Sequence, residues 1–286
     1  MGTASDRAPL RHGTRVITLG GSSRLSRRSL LTNFGAAGVG LTIFGACASS
    51  SGAAESEGTT ATSGTESLGG EASTPAATEP TTDDGGTEAP AALQLQHVSL
   101  GFVSAYVLLR GNEAAVVDTG QSGSAAAILE GLGAIGASWN DVAHVVLTHN
   151  HGDHIGGLAG VLEEAPGATV YAGDADLAGI RSSASLQAIG DGDEVLGLGV
   201  FNTPGHTAGS ISLFDSETGI LVAGDAINGD NGALTGANPR FSVDLDAAAA
   251  SVAKLAALQP QIAAFGHGGA PIDADVTAQL ETLVGT

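Results

Sequence analysis

Short apolar runs separated by glycine-containing turns dominate residues 93–286 and predict a series of strands and helices. Strands are predicted at 93–98, 105–109, 114–117, 144–147, 169–172, 195–201, 210–214, 220–223 and 261–265. Helices are predicted at 124–132, 153–164, 245–258 and 273–283, and a helical turn capped by Ser138 at 138–141. The strands come in two groups, each followed by helices, which favours two sheets packed face to face with helices outside them. A single wound parallel sheet is the alternative arrangement.

The N-terminal segment, residues 1–47, has a different pattern and predicts a signal peptide. It holds six of the ten basic residues, and Arg27-Arg28 precedes an uncharged stretch at 32–46 that is rich in Gly, Ala, Phe and Leu. A basic region before a short apolar region is typical of export signals, and adjacent arginines resemble the twin-arginine type. The apolar stretch is short for a transmembrane helix, which needs roughly 20 apolar residues. An uncleaved membrane span is the alternative.

The chain has one cysteine, Cys47, at the end of this segment. Phe44-Gly45-Ala46-Cys47 resembles a bacterial lipobox, in which the cysteine receives a lipid. We therefore expect an exported lipoprotein anchored to the outer face of the cytoplasmic membrane. Ordinary cleavage after Ala48 is the alternative, because Ala46-Cys47-Ala48 also resembles a signal-peptidase site. The remainder of the chain has no disulfide and no thiolate metal ligand.

Residues 48–92 predict a disordered acidic linker. They carry eight acidic residues, no basic residue and no aromatic residue, and consist largely of Ser, Thr, Gly, Ala, Glu and Pro. Such a segment cannot bury enough apolar surface to offset the entropy of ordering it. Residues 93–286 are then the globular domain.

The charge of the chain restricts its partners. The net charge is −20, and residues 93–286 alone carry 21 acidic and 4 basic residues. A nucleic-acid partner is excluded because it requires a basic face. Docking on an anionic membrane surface is disfavoured for the same reason, so the only expected membrane contact is the lipid anchor at Cys47. A small-molecule substrate is expected, and the oligomeric state is left open.

The densest group of polar residues is His149-Asn150-His151-Gly152-Asp153-His154, which directly follows an apolar run at 145–147. A packed core does not require three imidazoles and a carboxylate within six residues, whereas zinc and similar metals bind these groups. His149 and His151 are two residues apart on extended chain and can face one ion. Asp153 and His154 begin the next helix and can face a second ion.

Three later loops place a glycine beside a further ligand, at His206, Asp225 and His267. His206 would complete a site with His149 and His151, and His267 would join Asp153 and His154. Asp225 could bridge both ions. We expect two zinc ions, with iron or manganese as alternatives, and between them a water or hydroxide whose pKa is lowered toward about 7.

The H-x-H-x-D-H motif at 149–154, together with the three later ligands, resembles the metallo-β-lactamase superfamily of metallohydrolases over residues 93–286. The resemblance implies the α/β fold of that superfamily, a four-layer αββα sandwich with the metals at the sheet edge. Val117-Asp118-Thr119-Gly120 matches the early strand-to-loop motif of the family. The match implies that Asp118 orients a ligand histidine; a turn-forming Asp beside Thr-Gly is the alternative.

Departures from individual branches narrow the expected substrate. The Asp at position 225 disfavours β-lactam cleavage, and the His at position 151 excludes the flavodiiron oxygen reductases, which have Glu there. Only 19 residues follow His267, too few for the helical glutathione-binding domain of glyoxalase II. Lactonases of this family often use a tyrosine near the metals, yet only Tyr106 and Tyr171 are available, and neither lies in a matching motif. Compact members of the lactonase and thioesterase branches remain.

We therefore expect a dinuclear metallohydrolase whose metal-bridged hydroxide attacks the carbonyl carbon of a small lactone, ester or thioester. Asp153 and Asp225 are the expected catalytic carboxylates, and Asp153 would relay the proton to the leaving group. An iron-dependent sulfur dioxygenase or a β-lactamase on the same fold is the alternative activity. A metal-stabilised binding protein without turnover is the non-enzymatic alternative.

Overall fold

A computed structural model describes residues 91–285 together with the backbone of the short strand Val16–Ile17. These described residues belong to one compact unit of the chain. Apart from Val16–Ile17 and the exposed residues 91 and 92, the predicted signal peptide with its lipobox cysteine and the predicted linker lie outside the described residues. None of the helices that the structure describes has the length and apolar character needed to cross a membrane.

The first sheet has seven strands in chain order. They are β1 Val16–Ile17, β2 Gln94–Ser99, β3 Ser104–Arg110, β4 Glu113–Val117, β5 Val142–Leu147, β6 Thr169–Ala172 and β7 Leu186–Ala188. The pairs from β1 to β4 are antiparallel, and those from β4 to β7 are parallel. Helices α1 Ala125–Ala134 and α3 Leu158–Glu164 pack on one face of this sheet.

The second sheet has the strand order β14-β11-β10-β9-β8, in which only β11 and β14 are parallel neighbours. Its strands are β8 Glu194–Val195, β9 Leu198–Asn202, β10 Ile211–Asp215, β11 Ile220–Val222 and β14 Ile262–Ala264. Helices α4 Leu245–Ala256 and α5 Val276–Val284 cover its outer face. A separate hairpin pairs β12 Ile227–Asp230 with β13 Ala233–Gly236.

Three apolar layers separate four layers of secondary structure. Strand β3 shows how the sequence builds them: Val107 packs toward helix α1, while Leu108 on the opposite face packs toward the second sheet. This follows from the period of two in a strand. The third apolar layer joins the second sheet to α4 and α5, with Val252 and Leu280 buried in it. The αββα sandwich and its two facing sheets are confirmed, and the single wound sheet is wrong.

Two predicted elements were too long. The helix predicted at 153–164 is divided into α2 Gly152–Ile155 and α3 Leu158–Glu164. Its interruption coincides with Gly157, where a Cβ atom would overlap the Thr119 carbonyl oxygen, so the backbone lies directly against the loop after β4. The strand predicted at 195–201 is instead a tight hairpin of β8 and β9, because Leu196 and the following glycine both have positive φ.

The loops that carry the predicted ligands meet at one edge of the sandwich. Strands β4 and β5 of the first sheet and β9, β11 and β14 of the second all end there. The ligand-bearing loops follow the carboxyl ends of these strands, so the fold brings together residues far apart in the chain.

Candidate metal centre

All seven predicted ligands lie in one site, where they form three overlapping groups. The ligand atoms of each group lie within 4.8 Å of one another. The groups are His149, His151 and His206; His149, His154 and Asp225; and Asp153, His154 and His267. The first and third groups are the two sites that the sequence predicts.

Asp225 stands between the two predicted sites. It lies in a turn of 3-10 helix directly after β11, and its carboxylate is buried. Its Oδ2 atom is 3.3 Å from Nε2 of His206 and 3.3 Å from Nε2 of His267, while Oδ1 is 3.4 Å from Nε2 of His154. Gly266 permits this arrangement, because a Cβ atom there would overlap the carboxylate. One carboxylate thus faces ligands of both sites.

Some buried polar atoms of the site have no hydrogen-bond partner among the described residues, and some ring nitrogens face one another. His149 Nε2 and Asp225 Oδ1 are buried and have no hydrogen-bond partner. Nε2 of His206 faces Nδ1 of His151 at 2.9 Å, and Nε2 of His154 faces Nε2 of His267 at 3.3 Å. Imidazole nitrogens and carboxylate oxygens that converge without other partners fit the donor set of zinc and of related first-row metals.

Asp118 fixes the orientation of one ligand ring. Its Oδ2 atom is 2.8 Å from Nδ1 of His154 and accepts a hydrogen bond from the Thr148 hydroxyl, and its Oδ1 atom accepts one from the Thr148 backbone N–H. A carboxylate on Nδ1 keeps the proton on that nitrogen and leaves Nε2 free to face the metal site. The Asp118 carboxylate thus contacts the His154 ring, and its orientation of a metal ligand stays a prediction.

Asp176 is a buried carboxylate that the sequence analysis missed. It accepts hydrogen bonds from the backbone N–H of Asn150 at 2.9 Å, from the Thr207 hydroxyl at 2.6 Å and from the backbone N–H of Gly209 at 2.9 Å. It therefore ties the loop of His149–His154 to the loop of His206. No local signal marks it, because its partners are contributed by two other loops.

Two further contacts are made to the Nδ1 atoms of predicted ligand rings, on the side away from the other ligands. The Phe102 carbonyl oxygen accepts a hydrogen bond from Nδ1 of His267 at 2.7 Å, which directs Nε2 of that ring toward Asp225. The Ser242 hydroxyl lies 3.4 Å from Nδ1 of His206. Neither residue belongs to a motif, so neither was predicted.

The pKa is lowered for two of the site histidines and raised for two others. Burial holds the pKa of His149 well below its ordinary value and lowers the pKa of His206 to about 4, so both rings are neutral near pH 7. The hydrogen bond to Asp225 raises the pKa of His267 to about 9 in the metal-free protein. Burial opposes protonation of His154, but the Asp118 carboxylate outweighs it and raises the pKa of that ring.

A cavity of about 1080 Å³ opens onto these ligands. His151, Asp153, His206, Asp225 and His267 line it, so the site is accessible to a small molecule. The hydroxyl of Tyr106 is buried and is held by both the carbonyl oxygen and the N–H of Phe265, and neither tyrosine lines the cavity. The tyrosine of the lactonases has no counterpart here.

The sequence of residues 98–267 matches the family model described as the metallo-beta-lactamase superfamily. The chain belongs to the metallo-β-lactamase superfamily. The matched segment runs from β2 to His267 and contains every predicted ligand.

Relatives and solved structures agree with this membership. The chain is 28% identical over 196 residues to the uncharacterized protein YobT of Bacillus subtilis, covering 58% of this chain and 83% of that protein. It is 34% identical over 116 residues to a hydroxyacylglutathione hydrolase of Klebsiella pneumoniae, covering 39% of this chain and 41% of the enzyme. The crystal structure of a metallo-beta-lactamase family protein from Thermus thermophilus superposes with a TM-score of 0.56 and 26% identity, over 68% of this chain and 78% of that one. The chain thus spans about two fifths of the hydrolase that it matches.

Proposed function

We propose that the protein is a dinuclear zinc hydrolase that cleaves a small lactone, ester or thioester. The observation that carries the proposal is the convergence of five imidazoles and two carboxylates beside an open cavity, with buried His149 Nε2 and Asp225 Oδ1 lacking a hydrogen-bond partner. Five histidines with two carboxylates and no thiolate suit zinc. Membership of the superfamily supports a hydrolytic activity.

His149, His151 and His206 would hold one ion, and Asp153, His154 and His267 the other, with Asp225 shared between them. Metal ions bound there would polarise the substrate carbonyl and lower the pKa of the attacking water. In the reaction, the water oxygen adds to the carbonyl carbon, the bond from that carbon to the leaving oxygen or sulfur breaks, and the leaving group takes up a proton.

Asp153 is the carboxylate best placed to handle that proton. Its side chain is partly exposed and lines the cavity, and its Oδ2 atom is 3.5 Å from Nε2 of His267. Asp225 also lines the cavity, but it is only 4% exposed and its carboxylate faces three ligand rings, so we assign it a holding role. Asp153 combines contact with a ligand and access to the substrate, so we assign the proton relay to it.

The relatives support a thioester as the first substrate class to test. The hydroxyacylglutathione hydrolases match this chain over 116 residues, and the name of those enzymes indicates a glutathione thioester. The match covers less than half of their length. The acyl and thiol parts of the substrate of this protein are therefore not inferred from them.

A double variant tests the central claim. His149→Ala with His151→Ala removes two of the three ligands of one predicted group, so we expect loss of activity and a fall in bound metal to one ion or none. Elemental analysis and hydrolysis of lactone, thioester and β-lactam substrates measure this. His144→Ala is the matched control, because that ring pairs with Glu113 outside the site. Full metal content and activity in the double variant would refute the proposal. One iron ion per chain in the wild-type protein would favour the sulfur dioxygenase instead.

We also propose export with a lipid anchor at Cys47, a residue outside the described part of the chain. The support is the arginine pair, the short apolar stretch and the position of the only cysteine. Cys47→Ser should move the mature protein from the membrane to the soluble fraction without changing its activity per molecule. Retention of the variant in the membrane fraction would contradict the anchor.

A further inference from the structure

We propose that the cavity selects an uncharged substrate with an apolar acyl group, which packs on Phe102 and Phe241. This inference rests on the proposed hydrolase function and names the substrate class of the same site. It is carried by the aromatic residues and the charges on the cavity wall.

The two phenylalanines form an apolar surface at the cavity. Their side chains are 61% and 57% exposed, whereas the other three phenylalanines that the structure describes are buried or half-buried. Both exposed rings line the cavity. Large exposed apolar side chains at a cavity commonly mark a place where a ligand covers them.

Phe102 contacts one predicted ligand directly, and Phe241 is the chain neighbour of a residue that lies near another. The Phe102 ring stacks on His267, with ring centres 5.9 Å apart and an angle of 3° between the planes. Phe241 directly precedes Ser242, whose hydroxyl lies near Nδ1 of His206. An apolar group whose carbonyl reaches the ligands can therefore contact the Phe102 ring beside His267, and Phe241 provides a second ring on the wall of the same cavity.

The charges on the cavity wall disfavour an anionic substrate. Among the described residues that line the cavity there is no lysine or arginine, and Asp230 is the charged side chain in addition to the predicted ligands. The nearest cation along the chain is Arg240, whose guanidinium lies over the Phe241 ring at 5.5 Å. An anionic group that reaches the wall at Asp230 would meet a carboxylate there, and like charges in contact are unfavourable.

Paired thioesters test the charge preference. Butanoyl, hexanoyl and octanoyl thioesters of N-acetylcysteamine are uncharged, and those of 3-mercaptopropionate are anionic but similar in size. With the metal-loaded full-length protein we expect kcat/KM to be about tenfold higher for the uncharged member of each pair. We also expect it to rise by up to about fourfold per methylene group added, the limit for complete burial. Equal or better turnover of the anionic members, or no dependence on chain length, would overturn the inference.

Single substitutions show which side chains produce the preference for apolar, uncharged substrates. Phe102→Ala and Phe241→Ala should each reduce the gain from longer acyl chains, whereas Leu129→Ala, at a residue that is 46% exposed on α1, should leave it unchanged. Arg240→Gln should not weaken turnover of the anionic thioesters. A selective loss of anionic turnover in Arg240→Gln would show that the rim recognises anions and would contradict the inference.

A binding experiment separates this inference from the proposed function. S-octyl-N-acetylcysteamine is an uncharged thioether that cannot be hydrolysed, and its binding is measured by calorimetry. We expect it to bind about tenfold more tightly than S-octyl-3-mercaptopropionate, and more weakly to Phe241→Ala. Absence of thioester and lactone hydrolysis with this binding preserved would refute only the hydrolase. Hydrolysis without preference for uncharged or apolar substrates would refute only this inference.

Discussion

Replacement of Asp118 by Asn tests how the protein sets the tautomer of a metal ligand. The Asp118 Oδ1 atom accepts from the Thr148 backbone N–H, so the carboxamide oxygen of Asn would remain there and its Nδ2 would face Nδ1 of His154. Nδ1 must then accept, which moves the ring proton to Nε2, the atom 3.3 Å from Nε2 of His267. Asn also tolerates the left-handed backbone of this position, where φ is 59°. The change therefore acts on the proton more than on the fold.

The expected magnitude follows from the role of the carboxylate. Loss of a group that orients a ligand histidine typically weakens metal binding by about 10- to 100-fold, which corresponds to about 1.4 to 2.8 kcal/mol. The effect should fall mainly on the site that contains Asp153, His154 and His267. The site of His149, His151 and His206 should be weakened less, because it is linked to Asp118 only through the Thr148 hydroxyl, which donates to Asp118 and lies 3.1 Å from Nδ1 of His149.

Competition with a chromophoric zinc chelator measures both affinities, and elemental analysis gives the number of ions bound. Asp215→Asn is the matched control, because Asp215 is equally buried and its carboxylate pairs with Arg110 at 2.7 Å away from the metal ligands. That variant should lower the thermal unfolding midpoint but leave metal affinity unchanged. A folded Asp118→Asn protein that binds two ions as tightly as the wild type would refute the tautomer argument.

Three further predictions concern the bridge, the pH dependence and export. Asp225→Asn should weaken both sites together, because each loses an anionic oxygen, and two tightly held ions by elemental analysis would show that Asp225 is not the bridge. His267, with its pKa of about 9, must lose a proton to bind metal, so calorimetry in buffers of different ionisation enthalpy should detect proton release at pH 7, and affinity should rise with pH up to about 9. In the metal-free protein the same raised pKa stabilises the fold below its ordinary value of 6.5, and this contribution is lost as pH rises through about 9. Replacement of Arg27 and Arg28 by Lys should leave a folded, metal-loaded precursor inside the cell, whereas normal export by fractionation would imply secretion of the unfolded chain with metal acquired outside.

The ligand set could be predicted from the sequence because its signals are local. His149, His151, Asp153 and His154 lie within six residues, and the remaining ligands each directly follow or precede a glycine near the end of an apolar strand. Strand ends at one edge of a sandwich converge, so residues far apart in the chain could be expected in one site, although metal binding by them stays a prediction. The structure brings the seven residues together in those groups.

The supporting residues could not be predicted in this way. Asp176 has an ordinary Asp-Ala-Asp context, and its function arises only when Asn150, Thr207 and Gly209 fold around it. The hairpin of β12 and β13, which forms part of the cavity wall, was missed because its strands mix polar and apolar residues and are short. Phe241 offered a weak signal, as an aromatic residue in a polar loop of a chain with only seven phenylalanines.

Protein contacts position the residues of the candidate metal centre, and a bound cation would stabilise them further. Asp118 fixes the His154 ring and Asp176 fixes two ligand loops, while the Tyr106 hydroxyl fixes the backbone just before His267. These contacts need no ion, so the ligands can be positioned before metal arrives. His149 Nε2 and Asp225 Oδ1, however, are buried without partners, and each such group costs about 1–3 kcal/mol. A bound cation removes that cost, which makes metal binding part of the folding free energy. Export by a route that carries folded proteins would then let the cell load the intended metal first, and this physical reason supports the proposed twin-arginine signal.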